Sequence, residues 1–150
     1  MKPRERVEAA ISLDIADRPP VGVWGHDYLR EWSPRDLADA HIRAQRRLGW
    51  DFVKFQPRAT CFGEAFGSEF RPSGDPHQFP VLVRPGVQDP ADLGLIGAVA
   101  ATVAPLADQV KGVELVAAAV SPDVPVLQTV SVPSAWPTSF SPASPRQSSQ

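Results

Sequence analysis

Residues 33–57 read SPRDLADAHIRAQRRLGWDFVKFQP, and this stretch decides the fold. Ser33 is a capping residue, Pro34 is preset for the first helical position, and Asp36 stands where the cap is answered, so a helix starts at 34. Leu37, His41, Ala44 and Leu48 recur at spacings of four, three and four along one stripe, and Gly49 supplies the left-handed residue that commonly ends a helix. The pattern predicts a helix over 34–48. Asp51 to Gln56 then brings β-branched and aromatic side chains, and Pro57 ends the ladder because it has no N–H to donate. A helix that hands directly into an apolar strand is the repeating unit of α/β proteins.

Toward the N-terminus, Asp17-Arg18-Pro19-Pro20 blocks helix and ladder alike, and Val21, Val23 and Trp24 after it read as a first strand. Before it, Pro3 sits in a first helical turn, and Val7, Ala10 and Ile11 share a face of a short helix ending near Leu13. Toward the C-terminus, residues 64–88 carry Pro72, Gly74, Pro76, Pro80 and Pro85, the composition of an excursion with one small hairpin around Phe79 to Val83. Asp89-Pro90-Ala91-Asp92 repeats the cap-and-proline signal. Two helical stretches follow, Ile96 to Ala104 and Gly112 to Val120, and after Pro125 the run Val126 to Val130 reads as a third strand.

Alternating helices and strands place the chain in the α/β class, with strands paired in parallel through right-handed crossovers. Three strands do not close a barrel, and a complete (β/α)8 barrel takes about 250 residues. The expected architecture is the N-terminal portion of a (β/α)8 TIM barrel over 1–130, truncated after about three strands. Residues 131–150, with seven Ser, four Pro and Arg146 as the lone charge, show neither period. They read either as a disordered Ser/Pro tail or as a frame-shifted continuation of the barrel, since one nucleotide inserted after the Val130 codon lets GC-rich codons encode an amphipathic helix start.

With 43% hydrophobic and 21% charged residues, the chain has the apolar content to bury a core. A net charge of −2 gives no broad positive field for phosphate backbones, so nucleic-acid binding is not expected. One cysteine excludes an internal disulfide framework, and three scattered histidines make a self-contained zinc site an unfavoured reading. The N-terminus lacks the apolar core of an export signal. The longest apolar run, Leu93 to Ala107, is broken by Thr102 and Pro105, so no membrane span and a soluble cytoplasmic protein are expected.

The segments PRERVEAAISLDIADRPPVGVW (3–24), QRRLGWDFVKFQPRATCF (45–62) and VPVLQTV (124–130) resemble the N-terminal half of the uroporphyrinogen decarboxylase superfamily. The resemblance implies one (β/α)8 barrel with its substrate cleft at the C-terminal ends of the strands and a homodimer at full length. The implied reaction is cofactor-independent decarboxylation of the acetate side chains of uroporphyrinogen, a polycarboxylated tetrapyrrole. The superfamily also holds corrinoid-dependent methyltransferases, which is the alternative activity; a non-enzymatic truncated product is a further one. The chain departs from the decarboxylases in two places. Gly25-His26-Asp27-Tyr28 stands where they carry an arginine-rich stretch, and Lys54, Gln56, Pro57 and Arg58 stand where they carry a late strand-two aspartate.

Barrel active sites lie where strands end, which selects His26 and Tyr28 after strand one and Lys54, Gln56 and Arg58 at the end of strand two. His26 or Tyr28 suits a proton donor, and Lys54 and Arg58, with Gln56 between them, suit substrate carboxylates. Each also has a plainer reading, as a loop residue, an internal barrel side chain or a surface charge. Cys61 reads as a small buried hydrophobe rather than a zinc ligand. His41 reads as a hydrogen-bonded core histidine, and Arg43, Arg46 and Arg47 as a solvated face. No metal or cofactor is called for, and the expected partner is a small molecule.

Overall fold

The computed structural model describes residues 1–95 and 97–130. The helix read from 33–57 is present as α2, with α1 before it: α1 spans Pro3–Ile11 and α2 spans Pro34–Leu48. The Ser33 hydroxyl accepts the Asp36 N–H at 3.0 Å, and Gly49 closes α2 in the left-handed region at φ 64°. The buried stripe is rotated from the expected one. Leu37, Ala38 and Ile42 face the core, while Leu48 is half exposed. α1 differs more, because it buries Arg6, Val7 and Ala9 and leaves Ile11 exposed.

Strand β1, Val53–Phe55, follows α2. Next come a short helix α3, Cys61–Ala65, and an antiparallel hairpin of β2, Glu69–Arg71, and β3, Val81–Arg84. A 3-10 turn at Pro90–Leu95 leads to α4, Ala104–Ala119, and then β4, Val126–Gln128. β1 and β4 pair in parallel, with Val53 opposite Val126 and Phe55 opposite Gln128. The expected parallel pairing of the strands at 53 and 126 is therefore present, and the hairpin falls where the excursion was read.

Val53 and Phe55 are fully buried beneath α2 and α4, in a core with Leu37, Ala38, Ile42, Val116 and Val124. The strand's alternation then turns Lys54 to the opposite face. Gly112 of α4 packs against the Phe55 ring of β1. A Cβ there would lie 2.7 Å from the Phe55 ring, so the helix reaches this depth only because residue 112 has no side chain.

Three expectations are corrected. Val21, Val23 and Trp24 form no strand. Residue 51 takes both backbone groups of Val21: the Asp51 N–H donates to the Val21 carbonyl at 2.8 Å, and the Asp51 carboxylate accepts the Val21 N–H at 2.8 Å. Pro19 and Pro20 have no donors to offer a ladder in any case. Second, the two helices expected over 96–104 and 112–120 are a single α4 that begins at Ala104, because Pro105 is tolerated in a first turn and not near a helix end. Residues 97–103 are not helical. Third, residues 64 and 65, read as the start of the excursion, belong to a helical turn, Cys61–Ala65. The parallel sheet among the described residues thus has two strands and no closure. The Ser/Pro segment 131–150 lies outside the described residues.

An ionic knot built on buried Arg6 and Asp51 ties α1 to the start of β1, with Asp17 and Arg18 at its exposed rim. Arg6 pairs with both oxygens of Asp17 at 2.6 and 2.7 Å and with Asp51 at 2.5 Å; Arg18 forks onto Asp51 at 2.6 and 3.0 Å. Burial opposes the Asp51 charge, but hydrogen bonds from Arg18, the Val21 N–H and Arg6 outweigh it and hold the carboxyl below its ordinary range. Among the described residues no helix is long and apolar enough to cross a membrane.

Candidate functional site

The C-terminal ends of β1 and β4 lie side by side and make up the strand-end mouth. The Thr129 N–H donates to the Phe55 carbonyl at 3.1 Å, which carries the register one step further and sets Thr129 beside Gln56. The Gln56 amide oxygen and the Thr129 hydroxyl are both buried without a hydrogen-bond partner. Unsatisfied buried polar atoms are uncommon, and these two lie at neighbouring register positions at the end of the parallel strand pair.

The loop from Val21 to Trp32 forms the next wall. Its aromatic residues stack in sequence: Trp24 meets His26 edge-on at 6.1 Å, His26 lies flat on Tyr28 at 4.9 Å, and Tyr28 meets Phe79 of the excursion edge-on at 5.7 Å. The Tyr28 N–H donates to the Pro76 carbonyl and the Trp32 indole N–H to the Tyr28 carbonyl. These bonds pin the loop at its middle. His26 Nδ1 bonds Glu31 Oε1 at 2.5 Å, and the other Glu31 oxygen accepts the Ala59 N–H at 2.9 Å. Burial, with Glu31 nearby, raises the Tyr28 hydroxyl above its ordinary value and keeps it protonated.

The structure brings His26 and Tyr28 together and links Lys54 to them through Trp24, whose ring lies 4.7 Å from the Lys54 ammonium. Gln56 lies at the mouth, its N–H donating to His41 Nε2 at 3.0 Å. His41 Nδ1 in turn donates to the Leu37 carbonyl at 2.9 Å and the ring stacks on Phe55, so His41 is hydrogen-bonded as expected, but it is partly buried and lines the cleft rather than sitting in the core. Burial lowers its affinity for a proton. Arg58 stands apart from this group. It is buried, pairs with Glu64 at 2.8 Å and Asp108 at 3.9 Å, and lies over the Trp32 ring. Burial pushes the Cys61 thiol up to about 11, which makes it an inert thiol at neutral pH.

Beside the mouth, a cleft of about 520 Å³ opens between the loop and α2, with Trp24, His26, Arg30, Glu31, Ala40 and Arg47 among its lining residues. It reaches His26 but not Lys54, Gln56 or Arg58. Among the described residues no group of three His, Cys, Asp or Glu side chains is placed to hold a metal ion.

Sequence reasoning missed Glu31, Glu64 and Thr129. The signal for Glu31 was present, a carboxylate five positions after His26 in the loop that must turn from 21–24 into α2. Thr129 was read only as part of a strand, and its role depends on a register that no local pattern reveals.

No protein-family model matches the chain, and no curated protein matches it. Among solved structures, a methyltransferase from Methanosarcina mazei is similar, with a TM-score of 0.58 and 20% identity over 85% of this chain. The chain spans 42% of that structure's length. The likeness is one of fold: a mixed α/β arrangement consistent with part of a barrel, without closure.

Proposed function

We propose that the chain is the N-terminal portion of a (β/α)8 barrel of the uroporphyrinogen decarboxylase superfamily whose reaction is methyl transfer of the corrinoid-dependent kind rather than decarboxylation. The fold likeness to a methyltransferase supports this branch. The observation that carries the choice is the state of Arg58. Gripping several carboxylates of a tetrapyrrole takes several available cations, and Arg58 is already neutralised by Glu64 and Asp108. That leaves Lys54 as the cation of the candidate set without an acidic partner among the described residues.

In this reading the methylated corrinoid is a substrate that brings the methyl group to the mouth. A small acceptor occupies the space beside Lys54, Gln56 and Thr129, and completes the unsatisfied Gln56 and Thr129 oxygens. His26 and Tyr28 handle its proton.

The test uses the full-length product of the gene. Loss of methylcobalamin absorbance is followed against a panel of thiols and phenols, and anaerobic uroporphyrinogen is assayed beside a bona fide decarboxylase. The expected result is acceptor-dependent demethylation with little or no coproporphyrinogen, since a decarboxylase lacking its charged grips loses on the order of a thousandfold in rate. Porphyrinogen turnover within about tenfold of the control, with no demethylation, overturns the reading.

A further inference from the structure

The loop after Trp24 holds a feature that the proposed reaction leaves unexplained: a nearly dry carboxylate committed at both ends. Glu31 is 3% exposed along its side chain and His26 16%. One Glu31 oxygen is anchored by the Ala59 N–H, a backbone donor just beyond the exit of β1, and the other holds His26 Nδ1. A carboxylate accepts and does not donate, so the ring nitrogen facing it carries the hydrogen. In neutral His26 that leaves Nε2 as the lone-pair nitrogen, and Nε2 has no hydrogen-bond partner among the described residues. Tyr28 stacked at 8° on one side of the ring and Trp24 edge-on beside it restrict its rotation.

We propose that Glu31 is a positioning residue that fixes His26 in the Nδ1–H tautomer and leaves Nε2 as a proton acceptor. This rests on the reading of His26 as the proton-handling group and deepens it by naming the residue that orients the ring. A proton acceptor serves an acceptor molecule with an ionisable X–H, a thiol or a phenol. Its proton moves to His26 Nε2 while the X–H electron pair stays on X, making it the nucleophile that the methyl group needs. The charge that appears on the ring is met by Glu31 at 2.5 Å. The other groups around the ring are Asp27 and Arg30 on the loop, His41 on α2, Tyr28 by stacking and Lys54 through Trp24.

Glu31→Gln separates positioning from bulk. Glutamine has the same shape but a single acceptor oxygen, which cannot serve both the Ala59 N–H and His26 Nδ1. Diethyl pyrocarbonate, which attacks unprotonated imidazole nitrogen, reads the outcome at low protein concentration when each histidine is followed by peptide mass. Exposed His77 is the internal reference, and His41, with both nitrogens engaged, reports unfolding. In the native chain His26 reacts well ahead of His41. In E31Q the His26 rate falls about fivefold relative to His77 while His41 stays protected, because the ring turns its lone pair back toward residue 31. If His41 becomes reactive in E31Q, Glu31→Asp, which keeps two acceptor oxygens, is read instead and retains the native His26 rate. In the full-length enzyme, E31Q lowers kcat on the order of ten- to a hundredfold with KM within about twofold. A native His26 no more reactive than His41, or an E31Q rate equal to the native one, overturns the proposal. The modification reads the imidazole itself, so the methyl-transfer reading can fail with this result intact, and the reverse.

Discussion

At the scale of single residues, chemistry divides the candidate cations. Lys54 is held by an aromatic face and Arg58 by two acids, so replacing them has different consequences. Arg58→Ala strands Glu64 and is expected to cost about 1.5–3 kcal/mol of stability, read from denaturant midpoints, with ligand affinity changed only as folding changes. Lys54→Ala is expected to leave the midpoint within about 0.5 kcal/mol and to weaken binding of an anionic acceptor by roughly tenfold. Equal stability losses in the two variants would sink this distinction. His41 sets a pH dependence of definite sign. Its folded form resists protonation relative to the ordinary value of 6.5, because the ring is partly buried and Nε2 is occupied by the Gln56 N–H. The unfolded chain therefore binds more protons below that pH. The stability it contributes is complete above about 6.5 and is lost as pH falls toward the folded value, with a slope of at most about 1.4 kcal/mol per pH unit. Urea midpoints from pH 7.5 to 5 check this, and His41→Asn is expected to be less sensitive over that range. These roles were partly legible in the sequence. The stripe of α2 located His41, whereas the acids that occupy Arg58 come from positions 64 and 108 and carry no local sign of their partner.

At the scale of elements, the helix and strand of 33–57 were readable because cap, period and stop all agreed, and local agreement of that kind survives tertiary context. The segment 21–24 was misread because its composition is that of a strand while both backbone groups of Val21 are taken by Asp51, 30 positions away, through its backbone N–H and its carboxylate. α4 was split in two because Gly112 and Pro105 each look like punctuation. One is a first-turn proline and the other a close-packing contact. Gly112→Val tests the second statement. The added side chain meets the Phe55 ring, which is fully buried and has no room to retreat, so a loss of about 1–3 kcal/mol is expected, along with weaker packing of α4 on β1. Gly112→Ala should lie between the two. A valine variant as stable as the parent would mean that α4 sits further from the sheet than 2.7 Å allows.

At the scale of the whole molecule, the surface carries a set of exposed apolar side chains. Val21, Val23, Trp24, Leu127 and Val130 are all exposed, on the loop before α2 and on β4 and the residues after it; in the proposed reading the rest of a barrel would cover them. Single exposed apolar residues need no explanation, but several of them together with an unpaired strand edge invite association. The 150-residue chain alone is expected to bind a hydrophobic dye and to sediment as mixed oligomers above tens of micromolar. Supplying the remaining strands of the barrel in the same polypeptide should abolish both. Monomeric, cooperatively melting protein at those concentrations would count against this. The parallel pair at the centre of the core bears also on how the chain reaches this state. Val53 and Val126 meet across about 70 positions of intervening chain, so their pairing pays a loop-closure entropy that local contacts do not. α2 with β1 can assemble as soon as residue 55 is made, but Phe55 has no roof until Gly112 arrives, and a ribosome adding about 5–20 residues each second leaves that ring open for several seconds. The expected signature is a refolding trace in which helical signal returns well before burial of the aromatic core, and a nascent chain that needs holding during the interval.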